Sequence, residues 1–98
     1  MVRINWTLQA TTDLKNIAEY ISKDSKKYAR FQVIRIKSRT KVLKSRSYAG
    51  KIVHEIEKQN IRELIEGNYR IIYKVVDNDR IDILTIHHSA RDLLRRKI

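Results

Sequence analysis

Three runs of β-branched and aromatic residues in the second half of the chain place the strongest constraint on its fold. They cover Ile61–Glu66, 69–76 and 81–87, and the separators at 67–68 and 77–80 have the composition of hairpin turns. Runs of this length and pattern are typical of strands. The sequence therefore predicts three consecutive antiparallel strands joined by tight turns.

The first half of the chain predicts a short strand followed by two helices. Residues 2–6 alternate and are β-prone, and Thr7 can cap a helix that starts directly after it. Apolar residues recur at helical spacing up to a polar break at 22–25, where Ser25 can cap a second helix that runs to about Arg46. The order β-α-α-β-β-β predicts an α+β domain, with a two-helix hairpin packed on one face of an antiparallel sheet.

The second predicted helix has a narrow buried seam and a second apolar group on its far side. The seam alternates steps of four and three residues and consists of Ala29, Val33, Ile36, Thr40 and Leu43. Phe31, Ile34 and Val42 lie on the far side, where they form either a second packing surface or a partner-binding stripe.

The chain has 98 residues and a formal net charge of +11, and nearly all of this charge lies in one segment. Residues 23–51 hold eleven basic side chains and one acidic side chain, a net of +10, which leaves +1 for the rest. This one-signed segment predicts a polyanionic partner, either nucleic acid or an acidic protein. A single domain is expected over 1–98, in which 89–98 forms a short basic tail.

The composition also excludes several classes of protein. With no cysteine the chain has neither a disulfide framework nor a thiolate metal site, and its three histidines lack the spacing of a zinc site. We expect no metal and no cofactor. Because no apolar run is long enough to cross a membrane and the start does not have the pattern of a signal peptide, we expect a soluble, cytoplasmic protein without a membrane partner.

Strand register decides which side chains share a face of the predicted sheet. A two-residue turn at 67–68 and a second turn centred on 78–79 place Arg70 directly opposite His87. The face that receives the helices is then mostly apolar and carries Leu64, Tyr69, Ile71, Tyr73, Val75, Leu84 and Ile86. The other face is mixed and open and carries Glu63, Arg70, Ile72, Lys74, Ile83, Thr85 and His87.

The predicted pair of Arg70 and His87 suits phosphodiester chemistry. An imidazole can donate or accept a proton near neutral pH, and a guanidinium binds an anionic phosphorane without losing its own proton. Cleavage of RNA needs no metal, because the 2′-hydroxyl is an internal nucleophile. The alternative is structural: His87 is an ordinary residue at a strand end, and Arg70 forms a salt bridge with Glu63.

Taken together, several segments resemble the RelE/ParE toxins over nearly the whole chain. They are Trp6-Thr7, Ala10, Asp13-Leu14, Ile17 and Tyr20-Ile21 in the first helix, the Gly50 loop, and residues 61–64, 69–73 and 83–93. The resemblance implies the toxin of a bacterial type II toxin–antitoxin module, often called a plasmid stabilisation protein, with the β-α-α-β-β-β fold. It also implies a cognate antitoxin whose acidic or amphipathic segment wraps the basic toxin.

The family divides by target, and the resemblance implies a different role for the site residues in each branch. RelE-like members cut mRNA on the ribosome, where Arg70 and Arg91 match phosphate-binding arginines, His87 matches a general acid and Glu55 corresponds loosely to a base. Such an enzyme is a metal-independent endoribonuclease. Its expected RNA contacts are Lys51, Lys74, Arg62, Lys37, Lys41 and Lys44.

ParE-like members inhibit DNA gyrase and have no chemistry of their own. The segments 13–21 and 88–93 are more similar to this branch, and Ile61 and Glu63 stand where RelE-like enzymes have lysines. His88 likewise replaces an expected tyrosine. The first expectation is ribosome-dependent mRNA cleavage, and inhibition of gyrase is the alternative. A third reading is a non-toxic family member that acts only as a binding module for its antitoxin.

Overall fold

A computed structural model describes residues 2–89 of the chain and confirms the predicted α+β fold class. Its helices are α1 (Leu8–Ser22) and α2 (Lys26–Arg39), and a short 3₁₀ helix (Thr40–Lys44) follows α2. Its strands are β1 (Arg3–Trp6), β2 (Lys51–Ile52), β3 (Ile61–Glu66), β4 (Tyr69–Val75) and β5 (Arg80–His88). No helix in residues 2–89 is long and apolar enough to cross a membrane.

The five strands form one sheet in the order β1-β5-β4-β3-β2. The pairs β2–β3, β3–β4 and β4–β5 are antiparallel, whereas β1 runs parallel to β5. The parallel edge follows from the connection, because α1 and α2 carry the chain across the sheet before it returns. Strand β2 was not predicted, since two residues are too few to show an alternating pattern.

Side-chain caps fix the start of each helix as predicted. The hydroxyl of Thr7 accepts a hydrogen bond from the backbone N–H of Ala10, and the hydroxyl of Ser25 accepts one from the N–H of Tyr28. Each bond satisfies one of the backbone donors that the first turn of a helix leaves unpaired.

The end of the second helix was predicted wrongly: α2 ends at Arg39, well before Arg46. Residues three apart align in the 3₁₀ helix that follows, so Thr40 and Leu43 are both buried there. The tighter turn also packs Val42 against the core, which corrects its predicted position on the far side. Phe31 and Ile34 remain exposed on that side.

The main core lies between the helices and one face of the sheet. Its buried members are Ala10, Leu14, Ile36, Leu43, Leu64, Ile71, Tyr73, Val75, Ile81, Ile83 and Ile86. Of the predicted seam of α2, Ala29, Ile36, Thr40 and Leu43 are buried and Val33 is half-buried.

A bulge in β5 changes the predicted faces while it preserves the predicted pair. The register shifts between Ile72 and Tyr73, so Leu84 is the extra residue opposite them. Ile83 therefore enters the main core and Leu84 packs on the opposite face, the reverse of the prediction. Next to the turn between β4 and β5, each residue of β4 pairs one position away from its predicted partner, as Val75 does with Ile81. The extra residue in the bulge cancels this shift, so Arg70 still pairs with His87.

The face predicted to be open is covered by the segment between β2 and β3. Val53 and Ile72 are fully buried there, and Ile56, Ile61 and Leu84 pack around them as a second, smaller core. The chain after Ile52 thus folds back over the sheet on the side away from the helices.

Candidate functional site

The covered face of the sheet holds a cluster of one arginine and two carboxylates. Arg70 donates from Nη1 and Nη2 to the two carboxylate oxygens of Glu55, at 2.7 and 2.8 Å, and from Nε to Oε2 of Glu63 at 2.5 Å. Only 11% of the Arg70 side chain and 5% of the Glu63 side chain are exposed. Lys51 approaches Glu63 at 3.8 Å from the solvent side.

The local fold explains how Glu55 reaches the arginine. The backbone N–H groups of Ile56 and Glu57 both donate to the carbonyl of Val53, which closes a tight turn around Glu55. Glu57 completes it with a φ of 55°, in the left-handed region that few non-glycine residues adopt. Because Val53 is buried against Ile72, this turn is anchored directly above the sheet.

The close ion pair changes the acidity of both partners. The hydrogen bonds from Arg70 lower the pKa of Glu55 from 4.5 to about 2, against the opposing effect of burial. The same bonds raise the pKa of Arg70, so the guanidinium stays protonated at every physiological pH. Glu55 is therefore a carboxylate held by its partner, with less basicity than an ordinary glutamate.

His87 lies opposite Arg70 on β5, as predicted, but inside the protein. Only 1% of this residue is exposed, and its neighbour Thr85 on the same strand is fully buried. The structure thus brings together Arg70, His87 and Glu55 on one side of the sheet, within a closed environment. Arg91, the fourth predicted catalytic residue, lies outside the described residues.

Beyond the end of β1, side chains from outside the sheet form hydrogen bonds with polar groups of β5. Thr7 donates its hydroxyl hydrogen to the carbonyl of Ile83, at 2.7 Å. Further along, the carboxylate of Asp13 accepts hydrogen bonds from the hydroxyl of Thr85 and the N–H of Ile86. The sequence analysis did not assign this role to Asp13, although an acidic residue beside the apolar stripe of α1 was a signal for it.

The predicted RNA contacts divide between the two sides of the sheet. Exposed lysines on the helical layer are Lys37, Lys41 and Lys44, whereas Lys51 and Lys74 lie at the covered face. Arg62 is engaged in the structure: it donates to the carbonyl of Gly50 and to Gln59, and its guanidinium lies 5.1 Å from the centre of the Tyr48 ring. The six predicted RNA contacts therefore lie on different elements, three in the helical layer and three on strands β2, β3 and β4.

A buried hydrogen bond at Gly50 fixes the loop that leads into β2. The N–H of Gly50 donates to the hydroxyl of Tyr73 at 2.9 Å inside the core. A Cβ atom on residue 50 would lie 2.4 Å from the carbonyl oxygen of Glu63, so only glycine fits without a shift of the backbone. Burial raises the pKa of the Tyr73 hydroxyl, which keeps it protonated.

The described part of the chain has no group of three or more histidine, aspartate or glutamate side chains placed to hold a metal ion. The arrangement of Arg70, Glu55 and Glu63 is instead a compensated ion-pair network. A guanidinium that donates from all three nitrogens to two carboxylates ties a loop to a sheet, and its charge is already compensated when an anion approaches.

Comparison with protein families gives a match over residues 4–93 to the ParE toxin of the type II toxin–antitoxin system parDE. The chain belongs to the ParE toxin family. Among solved structures, the chromosomal ParDE toxin–antitoxin system from P. aeruginosa is similar, with 26% sequence identity and a TM-score of 0.74. That match covers 90% of this chain and 96% of the other. No protein of curated function matches the sequence significantly.

This ParE-family chain is therefore the toxin of a type II toxin–antitoxin system, and the findings support a cognate antitoxin as its partner. The prediction of the RelE/ParE superfamily is confirmed. The interpretation of Arg70 and Glu63 as a salt bridge, which the sequence left as the structural alternative, describes a contact that the structure contains.

Proposed function

We propose that this toxin stops growth by binding DNA gyrase, as the resemblance to the ParE branch implies, and that it cleaves no RNA. The observation that supports this proposal is the state of Arg70. All three of its side-chain nitrogens donate to Glu55 or Glu63. A scissile phosphate would have to displace a carboxylate from a site that already has its counter-charge.

The energetics of the cluster disfavour such a displacement. Hydrogen bonds between ionised partners contribute about 1.5–3 kcal/mol each, and the bidentate contact of Glu55 comprises two of them. If Glu55 were displaced, Glu63 would remain beside Arg70, so this pair would be neutral and would carry no net positive charge. RNA cleavage needs a positive charge that stabilises the dianionic phosphorane as it forms. In this cluster the charge of Arg70 is already compensated by carboxylates.

The position of His87 supports the same conclusion. A general acid must lie within hydrogen-bonding distance of the leaving oxygen, about 2.6–3.2 Å. With 1% exposure, His87 reaches an external substrate only if the structure around it opens. A binding toxin requires no such opening.

The two mechanisms differ in what they do to purified components and to cells. We expect the purified toxin to inhibit supercoiling by gyrase and to trap DNA cleavage complexes. Brief expression in cells, followed by mapping of mRNA 5′ ends, should show no new ends at codons. Ribosome-dependent transcript cleavage with unimpaired gyrase would overturn the proposal.

A charge-neutral double variant provides the matched control. Replacing Arg70→Gln and Glu63→Gln together removes one positive and one negative charge and leaves amides that can hydrogen-bond to each other. If the variant is folded by circular dichroism, a gyrase inhibitor should retain its toxicity. A ribonuclease that depends on Arg70 would lose it.

A further inference from the structure

An exposed tyrosine lies in the most basic part of the chain and takes no part in either core. Tyr48 is 54% exposed and lies in the loop between the 3₁₀ helix and β2. It is near the end of residues 25–54, which contain ten lysines and arginines and no acidic residue. Neither group of packed apolar residues includes its ring. The fold therefore does not account for an aromatic side chain at this position.

The ring of Tyr48 is supported by a fixed cation. The guanidinium of Arg62 lies 5.1 Å from the centre of the ring. That guanidinium is itself held in place, because it donates hydrogen bonds to the carbonyls of Gly50 and Gln59 and to the side chain of Gln59. A ring that is already held in one orientation loses little conformational freedom when a flat ligand stacks on it.

A tight turn presents this ring to solvent. The N–H of Ala49 donates to the carbonyl of Arg46 at 3.0 Å, so Ser47 and Tyr48 are the two central residues of the turn. Ala49 packs against the main core, which anchors the turn at its base. Arg46, at the start of the turn, is exposed. The turn thus places an aromatic ring and a cation side by side on the surface.

Further cations lie around the turn. Lys44 is exposed at the end of the 3₁₀ helix, and within residues 2–89 neither Lys44 nor Arg46 forms a salt bridge. Burial raises the pKa of the Tyr73 hydroxyl, whereas the positive charges of Arg62 and Arg39 act to lower it. Both guanidinium groups therefore lie near this hydroxyl, at the base of the same loop.

A held aromatic ring among uncompensated cations suits a single strand of nucleic acid. An unpaired base can stack on the ring while the flanking phosphates pair with lysine and arginine. A duplex cannot use the ring, because its bases are already paired and stacked on one another. An acidic peptide would pair with the cations but has no base to place on the ring.

We propose that Tyr48, Lys44 and Arg46, here called the Tyr48 patch, bind single-stranded DNA. A base stacks on Tyr48, and Lys44 and Arg46 pair with the neighbouring phosphates. Arg62 is a positioning residue that holds the ring. The choice of DNA rests on the proposed function, since gyrase acts on DNA, whereas the preference for unpaired bases does not. The toxin then contacts the DNA of a gyrase complex in addition to the enzyme.

The test uses full-length toxin and a fluorescently labelled DNA strand of mixed sequence, about 12 nucleotides long. Anisotropy is measured at about 0.15 M salt, where long-range attraction between charges is largely screened. We expect the single strand to bind about tenfold more tightly than a duplex of the same sequence. A duplex that binds as tightly as the single strand, or a single strand that does not bind, would overturn the proposal.

Variants of the Tyr48 patch separate stacking from charge. Tyr48→Ala should weaken binding of the single strand about tenfold and leave duplex binding unchanged, whereas Tyr48→Phe keeps the ring and should bind as the wild type does. Arg46→Gln should weaken binding of both forms and should reduce the salt dependence of single-strand binding by about 0.7 in log–log slope. Circular dichroism verifies that each variant is folded.

A second tyrosine provides the matched control. Tyr20 on α1 is 71% exposed, and the ammonium of Lys23 lies 6.0 Å from the centre of its ring. Tyr20→Ala therefore removes an exposed ring that also has a cation beside it, and it should bind the single strand as the wild type does. If Tyr48→Ala binds normally, or if Tyr20→Ala loses as much affinity, the assignment to the Tyr48 patch is refuted.

Two further measurements separate this proposal from its competitors. An RNA of the same sequence that binds about tenfold more tightly than the DNA would make the patch an RNA surface and overturn the choice of DNA. A polyglutamate peptide that binds as tightly as the strand, and that Tyr48→Ala does not affect, would assign the cations to an acidic protein. The strand is tested without gyrase. A toxin that binds it but leaves supercoiling unimpaired contradicts the proposed function alone, and a gyrase inhibitor that does not bind it contradicts this inference alone.

Discussion

Replacing Glu55 by Gln tests the ion-pair network directly. In the folded protein Glu55 receives two hydrogen bonds from Arg70, and 25% of its side chain is exposed. Gln has nearly the same shape and retains one oxygen acceptor, but it carries no charge. The substitution therefore removes the electrostatic part of the contact and leaves the packing of the loop.

The lowered pKa of Glu55 sets the scale of the effect. A pKa that falls from 4.5 to about 2 corresponds to an upper limit of about 3 kcal/mol in the free energy of unfolding. Partial exposure and screening reduce this figure, so we expect Glu55→Gln to cost about 1.5–2.5 kcal/mol at pH 7. For a domain of this size that is a decrease in melting temperature of roughly 10 °C.

The sign of the pH dependence follows from the direction of the shift. A carboxylate whose pKa is lowered by folding stabilises the protein above its unfolded pKa, and this contribution is lost as pH falls through the folded value. The difference between wild type and Glu55→Gln should therefore be largest above pH 5 and should shrink toward zero by about pH 2.

Urea unfolding of both proteins, monitored by circular dichroism at several pH values, measures this difference. Taking the difference between the two proteins removes the titration of the other acidic groups, which is common to both. Lys58→Gln, a substitution of an exposed charge in the same segment, is a control and should change stability by less than 0.5 kcal/mol. If Glu55→Gln is as stable as the wild type at pH 7, or if its deficit does not depend on pH, the network does not have the role assigned to it.

Four other substitutions test packing and hydrogen bonding. Gly50→Ala should lower the free energy of unfolding by about 3 kcal/mol in thermal or urea unfolding, because its Cβ would clash with the Glu63 carbonyl. Gly67→Ala should lower it by only about 1 kcal/mol, because residue 67 has a φ of +58° but open space around its Cβ position. Tyr73→Phe should cost about 1–3 kcal/mol, since it leaves the buried N–H of Gly50 without its acceptor; an unchanged midpoint would refute that bond. Asp13→Ala should cost about 3 kcal/mol and should increase hydrogen exchange at the N–H of Ile86, while unchanged exchange there would contradict the edge contact.

The elements that follow from local chemistry were predictable from the sequence. Thr7 and Ser25 cap helices because their hydroxyls satisfy backbone donors a few residues away. The hairpin of β3 and β4 has the predicted register because a two-residue turn at 67–68 fixes it, with Glu66 opposite Tyr69. Each of these features depends on neighbours within one turn of the chain.

Features that depend on distant packing were not predictable. The bulge at Leu84 depends on whether a side chain fits the main core or the smaller one, which no local pattern encodes. The early end of α2 likewise has no local signal, because the helical seam of the sequence continues through Thr40 and Leu43 beyond Arg39. Strand β2 forms only because β3 offers it an edge.

The candidate site illustrates why a correct residue pair does not establish a mechanism. Register placed Arg70 opposite His87, and that prediction is correct. Glu55, which pairs with Arg70, decides the chemical character of this pair. It lies in a loop whose position is fixed by the burial of Val53 and by the left-handed backbone conformation of Glu57. An arginine that faces solvent is an anion site, whereas the same arginine beneath two carboxylates is a structural clamp. The chemical character of such a cluster therefore depends on the loop that brings Glu55 to Arg70 as much as on the register of the strands.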